Sequence, residues 1–374
     1  MPRRCRVTEA YLALEDGLVL RGRSVGAEGE AAGEVVFTTS MTGYPEVLTD
    51  PSYAGQIVVM AFPMMGTYGV EPGWAESRRP FLRGFVVRHC SPYTWHWAGR
   101  IPLSDYLRRW GVVALEGVDT RKLVRHLRAG GLKRGVLATG ARDPRELVEQ
   151  ARSVPDLSCV DVVEEVSPPA PFTLPGEGPR VAVVDCGLKL GIARELHARG
   201  CEVVVVPHRA TAREILSLNP DGVVVSNGPG DPARLQATAR EVRALWGRVP
   251  VFGVCLGNQL VALAAGARTF KLPFGHRGSN HPVLDVDTGR VRITTQNHGY
   301  AVDEASLAGT GLRVTHRNLH DGTVEGLAHE ALPVFAVQFH PEARPGPRDS
   351  RDLFDRFLER LQPARPTARA AGTA

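Results

Sequence analysis

Apolar and polar positions alternate along this chain in two rhythms, and the change from one to the other divides it in two. From residue 7 to about 60 the apolar runs are short and broken by turn residues. VTEAYLALEDGLVLRGRSVG predicts a hairpin with Asp16-Gly17 at its tip. GEVVFTTSMTGYPEVLTDPSYAGQIVVMAFP predicts two apolar strands flanking a polar loop. Phe81 to Cys90 predicts another strand, and Leu103 to Trp110 and Thr120 to Leu127 have helical spacing with a glycine soon after each. A further helix and connection are expected over 141 to about 163. From 181 onward the rhythm is strand then helix. PRVAVVDCG and CEVVVVPH are β-branched runs around the helical stretch IARELHARG, and DGVVVSNGPGDP is a third strand entering a glycine loop. Such alternation predicts an α/β fold with a doubly wound, mostly parallel sheet covered on both faces. The stretch 167–180 is rich in Pro and Gly and has no pattern, as expected of a linker. The expected organisation is an amino-terminal mixed β/α domain (1–163), a linker (164–180), a carboxy-terminal α/β domain (181–361) and a low-complexity, disordered tail (362–374).

The chemistry gathers at PVFGVCLGNQLVALAAG, residues 250–266. Pro250 to Val254 suits a buried strand. From Asn258, the residues Leu260, Val261, Leu263 and Ala264 have a helical spacing closed by Gly266. Between them stands G-x-C-x-G, a nucleophile elbow with cysteine in place of serine. Gly253 and Gly257 are needed because so tight a turn leaves no room for side chains beside the nucleophile. A thiol at a helix start also faces the positive end of the dipole, which favours the thiolate. Downstream, FAVQFHPEA (335–343) predicts a strand delivering His340 and Glu342. A cysteine nucleophile needs a base for its proton, and the base needs a group that orients its ring. Cys255, His340 and Glu342 are therefore the candidate catalytic residues.

Other motifs mostly exclude. The NGPGDP loop (227–232) fits neither a P-loop nor GxGxxG, so no nucleotide site is assigned there. Its glycines, at the carboxyl end of a parallel strand, let a ligand approach the backbone. His276, His281 and His298 read as lying in glycine-rich loops without clustered acidic or cysteine ligands, so no metal is assigned. The formal charge of +5 is small for 374 residues and arginine is scattered, which gives nucleic-acid binding little support. Six widely spaced cysteines with no CxxC pair suggest reduced thiols in a cytoplasmic setting. MPRRCRVTEAYLALEDG has no apolar core, so no signal peptide is expected. The uncharged stretch Pro51 to Val70 is interrupted by Ser, Gln, Pro and Gly, so no membrane span is expected either.

GVCLGNQL with QFHPEA is similar to the glutaminase domain of the class I glutamine amidotransferases, a Cys-His-Glu family. The amino-terminal string, NGPGDP and FGHRGSNHPV together resemble the small chains of carbamoyl-phosphate synthetase, and the likeness covers about residues 7 to 360. The resemblance implies hydrolysis of L-glutamine through a cysteinyl thioester. It implies a large ATP-dependent synthetase chain as partner, in a heterodimer or higher oligomer, making carbamoyl phosphate for arginine and pyrimidine biosynthesis. No cofactor is implied in this chain, and ATP and Mg are expected on the large one. Carried over by motif, the glutamine contacts are Ser52 of the DPSY segment, Gln259, Asn297, Gly299 and Tyr300. Oxyanion donors are expected from the loop holding Gly228 and Gly230 and from the Leu256 amide. Asn258 stands where the family usually has histidine, and Cys186 and Gly191 replace the more usual Phe and Asn. Three alternatives remain: another class I amidotransferase, a hydrolase of γ-glutamyl tails, and a non-catalytic scaffolding subunit. The first would lack the initial 160 residues in this form, and the last would be expected to lack Cys255 or His340.

Overall fold

Strands that follow one another in sequence need not pair antiparallel, and this is where the amino-terminal half departs from its linear reading. The computed structural model describes residues 8–361, so the expected tail at 362–374 lies outside the described residues. The hairpin Glu9–Leu14/Val19–Ser24 forms as expected, with Gly17 at φ 97° in its turn. Glu30–Thr38 and Gln56–Met60, however, pair in parallel. A parallel pair cannot be joined by a tight turn and needs a crossover. The intervening segment is therefore no plain polar loop: it carries the helix Tyr44–Thr49 and the 3-10 turn Pro51–Tyr53. The stretch Phe81 to Cys90 splits into Gly84–Val86, which joins the main sheet, and His89–Cys90, which pairs with Met64–Met65. The strands close into a barrel in the order Glu9–Leu14, Val19–Ser24, Val113–Glu116, Gly84–Val86, Gln56–Met60, Glu30–Thr38, Lys133–Thr139. Val35, Ile57, Val59, Val86, Leu115 and Leu137 are among the residues of its core. The helices Leu103–Arg109, Thr120–Gly130 and Pro144–Ser153 fall where periodicity expects them.

The second half is built on a ten-stranded sheet. Glu202–Pro207, Arg180–Asp185, Gly222–Val225, Val251–Val254 and Val334–Val337 run parallel in that spatial order. Val324–His329, Leu312–Asn318, Thr269–Asp285 and Val291–Val302 extend it with antiparallel pairings. Successive residues of the parallel strands point to opposite faces, and both faces are covered. Ala182 and Val184 pack with Ile215, Val242 and Leu260 of three helices on one side. Val181 and Val183 pack with Ile192, Leu196, Phe354 and Phe357 on the other. The α/β expectation thus holds. Two expectations change. The presumed linker contributes Phe172–Leu174, an antiparallel edge strand on Glu202–Pro207. Pro171 and Pro175 bound it on either side, which keeps it to three residues. The three histidines read as loop residues lie instead on the long antiparallel pair Thr269–Asp285/Val291–Val302. Among the described residues no helix is long and apolar enough to cross a membrane.

Candidate active site

Strand Val251–Val254 ends at Cys255 and helix Leu256–Ala264 begins at the next residue, two positions earlier than the apolar spacing suggests. Cys255 is held at φ 56°, ψ −104°. A side-chain-bearing residue pays about 1–3 kcal/mol for such a conformation, which persists only where its surroundings enforce it. Here they do. A Cβ at Gly253 would lie 2.6 Å from the Gly257 carbonyl oxygen, and one at Gly257 would lie 2.1 Å from that of Val225. Both positions require glycine. The thiol occupies the N-cap position of the helix, is buried, and lies 3.6 Å from the carbonyl oxygen of Asn297.

His340 follows the neighbouring strand Val334–Val337, and its amide donates to the Thr295 carbonyl at 2.9 Å. Its Nδ1 is 2.7 Å from Glu342 Oε1, while Nε2 is buried with no hydrogen-bond partner among the described residues. Burial works against the imidazolium, but the Glu342 carboxylate, and after it Cys255, outweigh burial and raise the His340 pKa. Burial likewise opposes ionisation of Glu342, yet Lys189 and then His340 hold its carboxyl well below the usual range. Lys189 is the residue the sequence reading passed over. Its ammonium is 2.8 Å from Glu342 Oε1, with both side chains essentially inaccessible. The only signal was a lysine in the short turn between an apolar strand and the next helix, in CGLKLGIAR. Removing one partner of a buried ion pair strands the other charge at about 3–5 kcal/mol. Lys189→Met should therefore lose about that much unfolding free energy in chemical denaturation at pH 7. A loss under about 1 kcal/mol would place the pair among weak surface bridges.

In front of Cys255 the two halves of the molecule share one pocket. Ser52, Gly228, Gly230, Gln259, Asn297, Gly299 and Tyr300 line it together with Cys255. Leu256 does not: its side chain packs into the sheet core, and only its backbone is next to the thiol. The barrel half also supplies Glu34, Gln56, Leu132 and Leu157. The free space is narrow, about 30 Å³, and is bordered toward solvent by Leu132, Leu157, Lys271 and Tyr300. Ser52 Oγ accepts from Asn227 Nδ2 at 2.9 Å. Asp50 accepts from the Ser52 amide at 2.9 Å and from Asn297 Nδ2 at 2.8 Å. The Asn297 side chain is thus turned to the barrel half, leaving its backbone beside the thiol. Gln259 is also engaged: its Nε2 donates to the Tyr300 carbonyl at 2.8 Å and to Gln338 Oε1 at 3.2 Å. Asn258 Nδ2 donates to the same Gln338 oxygen at 3.2 Å, so the residue supports the helix start from behind.

His276, His298 and Glu325 are buried with three potential ligand atoms within 4.8 Å of one another. All three are already hydrogen-bonded. His276 Nε2 pairs with Asp321 at 2.9 Å, and Glu325 accepts from Asn318 and Gln296 at 2.9 and 2.8 Å. His298 bonds the Tyr300 carbonyl and Gln296 Oε1, both at 2.8 Å. The cluster anchors the strand that carries Asn297, Gly299 and Tyr300.

Comparison with known proteins adds the following. The family "Glutamine amidotransferase class-I" matches residues 182–360, and the "Carbamoyl-phosphate synthase small chain, CPSase domain" matches residues 12–137. The carbamoyl phosphate synthase small chain of Symbiobacterium thermophilum is 52% identical over 364 residues, covering 96% of this chain and 100% of the relative. That of Listeria monocytogenes is 50% identical over 355 residues, covering 95% and 97%. That of Methanopyrus kandleri is 51% identical over 353 residues, covering 93% and 98%.

Proposed function

The chain belongs to the carbamoyl phosphate synthase small-chain family, and from that membership we propose that it hydrolyses glutamine on Cys255 and hands the ammonia to a large synthetase chain. The observation that carries the reading is the buried file Cys255, His340, Glu342, Lys189 behind a pocket lined from both halves. We read the strand–turn–helix around Cys255 as a nucleophile elbow on a doubly wound sheet. His340 takes the thiol proton, and the Glu342 carboxylate stabilises the imidazolium and fixes its ring. The thiolate attacks the side-chain carboxamide of glutamine, forming a C–S bond. The oxyanion faces backbone amides: that of Leu256, which as a first-turn N–H has no partner within its helix, and one from the Gly228–Gly230 loop. His340 then returns the proton to the departing ammonia. Water adds to the γ-glutamyl thioester and releases glutamate and the thiol. ATP and Mg belong to the large chain in this reading, and no cofactor acts in the steps assigned to this one. The boundary between a partner-contacting amino-terminal domain and the amidotransferase domain falls within 164–180.

The test is co-expression with the large chain of the same genome and an assay of carbamoyl phosphate formed from glutamine, bicarbonate and ATP. Co-purification with glutamine-dependent product supports the reading. A complex that uses only free ammonia would reduce this chain to a scaffold.

Ser52 makes a second, smaller prediction. It borders the pocket from the barrel half and offers a hydroxyl already fixed by Asn227. Ser52→Ala should raise the apparent KM for glutamine about fivefold with kcat little changed, the cost of one hydrogen bond of roughly 1 kcal/mol. An unchanged KM would mean that the barrel half does not touch substrate.

A further inference from the structure

Behind the file of catalytic side chains, the barrel half reaches into the second sheet through one inaccessible carboxylate. Glu76 follows the 3-10 turn Pro72–Trp74 and is 0% exposed. Its own amide donates to Thr49 Oγ1 at 2.9 Å, which fixes its backbone to the barrel half. Its carbonyl accepts from the Leu190 amide at 2.8 Å, and its Oε2 accepts from the Gly191 amide at 2.8 Å. These are the first amides of helix Leu190–His197, whose N-cap residue, Lys189, provides no side-chain cap. First-turn amides have no partners within their helix, and a carboxylate there also meets the positive end of the dipole. Glu76 thus supplies, from the other half of the molecule, the cap this helix lacks. One turn on, Arg194 Nη1 donates to the Ala75 carbonyl at 3.0 Å and to Glu76 Oε1 at 3.3 Å, and Arg344 stands 3.6 Å from the same oxygen. The packing is tight at Gly191, where a Cβ would lie 2.7 Å from Glu76 Oε2 and 2.9 Å from Glu342 Cγ, so either side chain would have to shift to admit one.

The residue directly before these capped amides is Lys189, whose ammonium holds Glu342, which in turn holds His340. A lysine side chain has four rotatable bonds, and its head is only as well placed as the backbone it hangs from. We propose that Glu76 is a positioning residue for glutamine hydrolysis: by fixing the start of helix Leu190–His197 it sets Lys189 on Glu342 and so aligns the His340 ring. The barrel half is then part of the catalytic assembly and not only a wall of the pocket. The assignment rests on the function proposed above. Burial raises the Glu76 carboxyl to about 7, against the pull of Lys189, so near neutrality it is only partly charged. The Gly191 amide needs an acceptor oxygen rather than a full charge, and glutamine can offer one.

The test uses the complex with the large chain, measuring glutamine hydrolysis and, separately, synthesis from free ammonia. Glu76→Ala should lower kcat for glutamine hydrolysis by about tenfold or more, as for a lost hydrogen bond to an ionisable group, with KM for glutamine within about twofold. Ammonia-dependent synthesis should be unchanged. Glu76→Gln should stay within about threefold of the parent. Glu76→Asp keeps the charge but is one methylene short of the Gly191 amide, and should lose at least about threefold even if Glu76→Ala does not assemble. Parent-like kcat in the Ala or Asp variants overturns the assignment. So does a loss shared with ammonia-dependent synthesis, or a Gln variant as impaired as the Ala variant. A parent complex without glutaminase activity overturns the proposed function and this assignment with it, whereas an active parent beside an unimpaired variant overturns the Glu76 assignment alone.

Discussion

Cys255→Ser should abolish glutamine-dependent carbamoyl phosphate synthesis and leave synthesis from free ammonia intact. The expectation rests on position as much as on chemistry. Cys255 is held at positive φ by glycines that cannot be replaced, at the start of a helix and beside a histidine pushed toward its charged form. Serine fits that backbone and conserves shape, but a hydroxyl is a far weaker acid than a thiol and is not delivered as an anion by the same imidazole. The fall in glutaminase kcat should exceed about 10⁴-fold, the top of the range for one general-acid–base group, because the nucleophile itself is lost. The other buried cysteines serve as controls. Burial raises the Cys201 thiol to about 11 and the Cys90 thiol to about 12, and pushes Cys186 up as well. Cys186→Ala and Cys201→Ala should keep most of the activity. Wild-type-like turnover by Cys255→Ser would remove the nucleophile from the mechanism.

His340→Asn should cost about 10²–10⁴-fold in kcat at saturating glutamine, the usual worth of a general acid–base group. Asparagine keeps a hydrogen bond to Glu342 but cannot carry the thiol proton to the leaving nitrogen. Asn258→His gives the contrast. The Asn258 side chain hydrogen-bonds Gln338 behind the helix and no side chain of the catalytic file, so the change should alter kcat by less than about tenfold. Comparable losses in the two variants would end the division between base and support. His340 also makes a stability prediction with a definite sign. Burial alone would lower its pKa, but Glu342 overrides this and raises it to about 10. A group whose folded pKa is raised contributes stability that is complete below its unfolded value, near 6.5, and is lost as pH rises through the folded one. The advantage of the parent over His340→Asn in unfolding free energy should therefore be largest at pH 6 and shrink steadily toward pH 10. A gap that widens over that range would contradict the charge state assigned to the imidazole.

Much of the candidate site was legible because its constraints are local. G-x-C-x-G reads directly, since one turn must pass a carbonyl where a Cβ would stand, and at both glycines a Cβ would meet such a carbonyl. His340 and Glu342 are two residues apart after a strand, a spacing one turn can close. The parallel strands were equally plain: a strand covered on both faces is a continuous apolar run, and helices must alternate with such strands. The barrel was harder. A parallel pairing such as Glu30–Thr38 with Gln56–Met60 leaves the same local pattern as a hairpin, so the crossover helix Tyr44–Thr49 passed for a loop. Edge pairing likewise hid in a Pro-rich stretch, because a three-residue strand has too few positions to show a period.

By itself, then, the sequence pointed to Cys255 and His340 and to the sheet that carries them, because sterics and periodicity act over a few residues. Only the tertiary structure decided which charges and amides meet behind them. Asn227 reaches Ser52 across 175 residues, and Asn297 reaches Asp50 across 247. Lys189 finds Glu342 and Glu76 caps a helix 115 residues on. With 45 Lys and Arg and 40 Asp and Glu in the chain, composition cannot say which pair is withdrawn from water. A buried charge needs a partner, but that partner is chosen by the packing of two halves against each other and leaves no pattern along the chain.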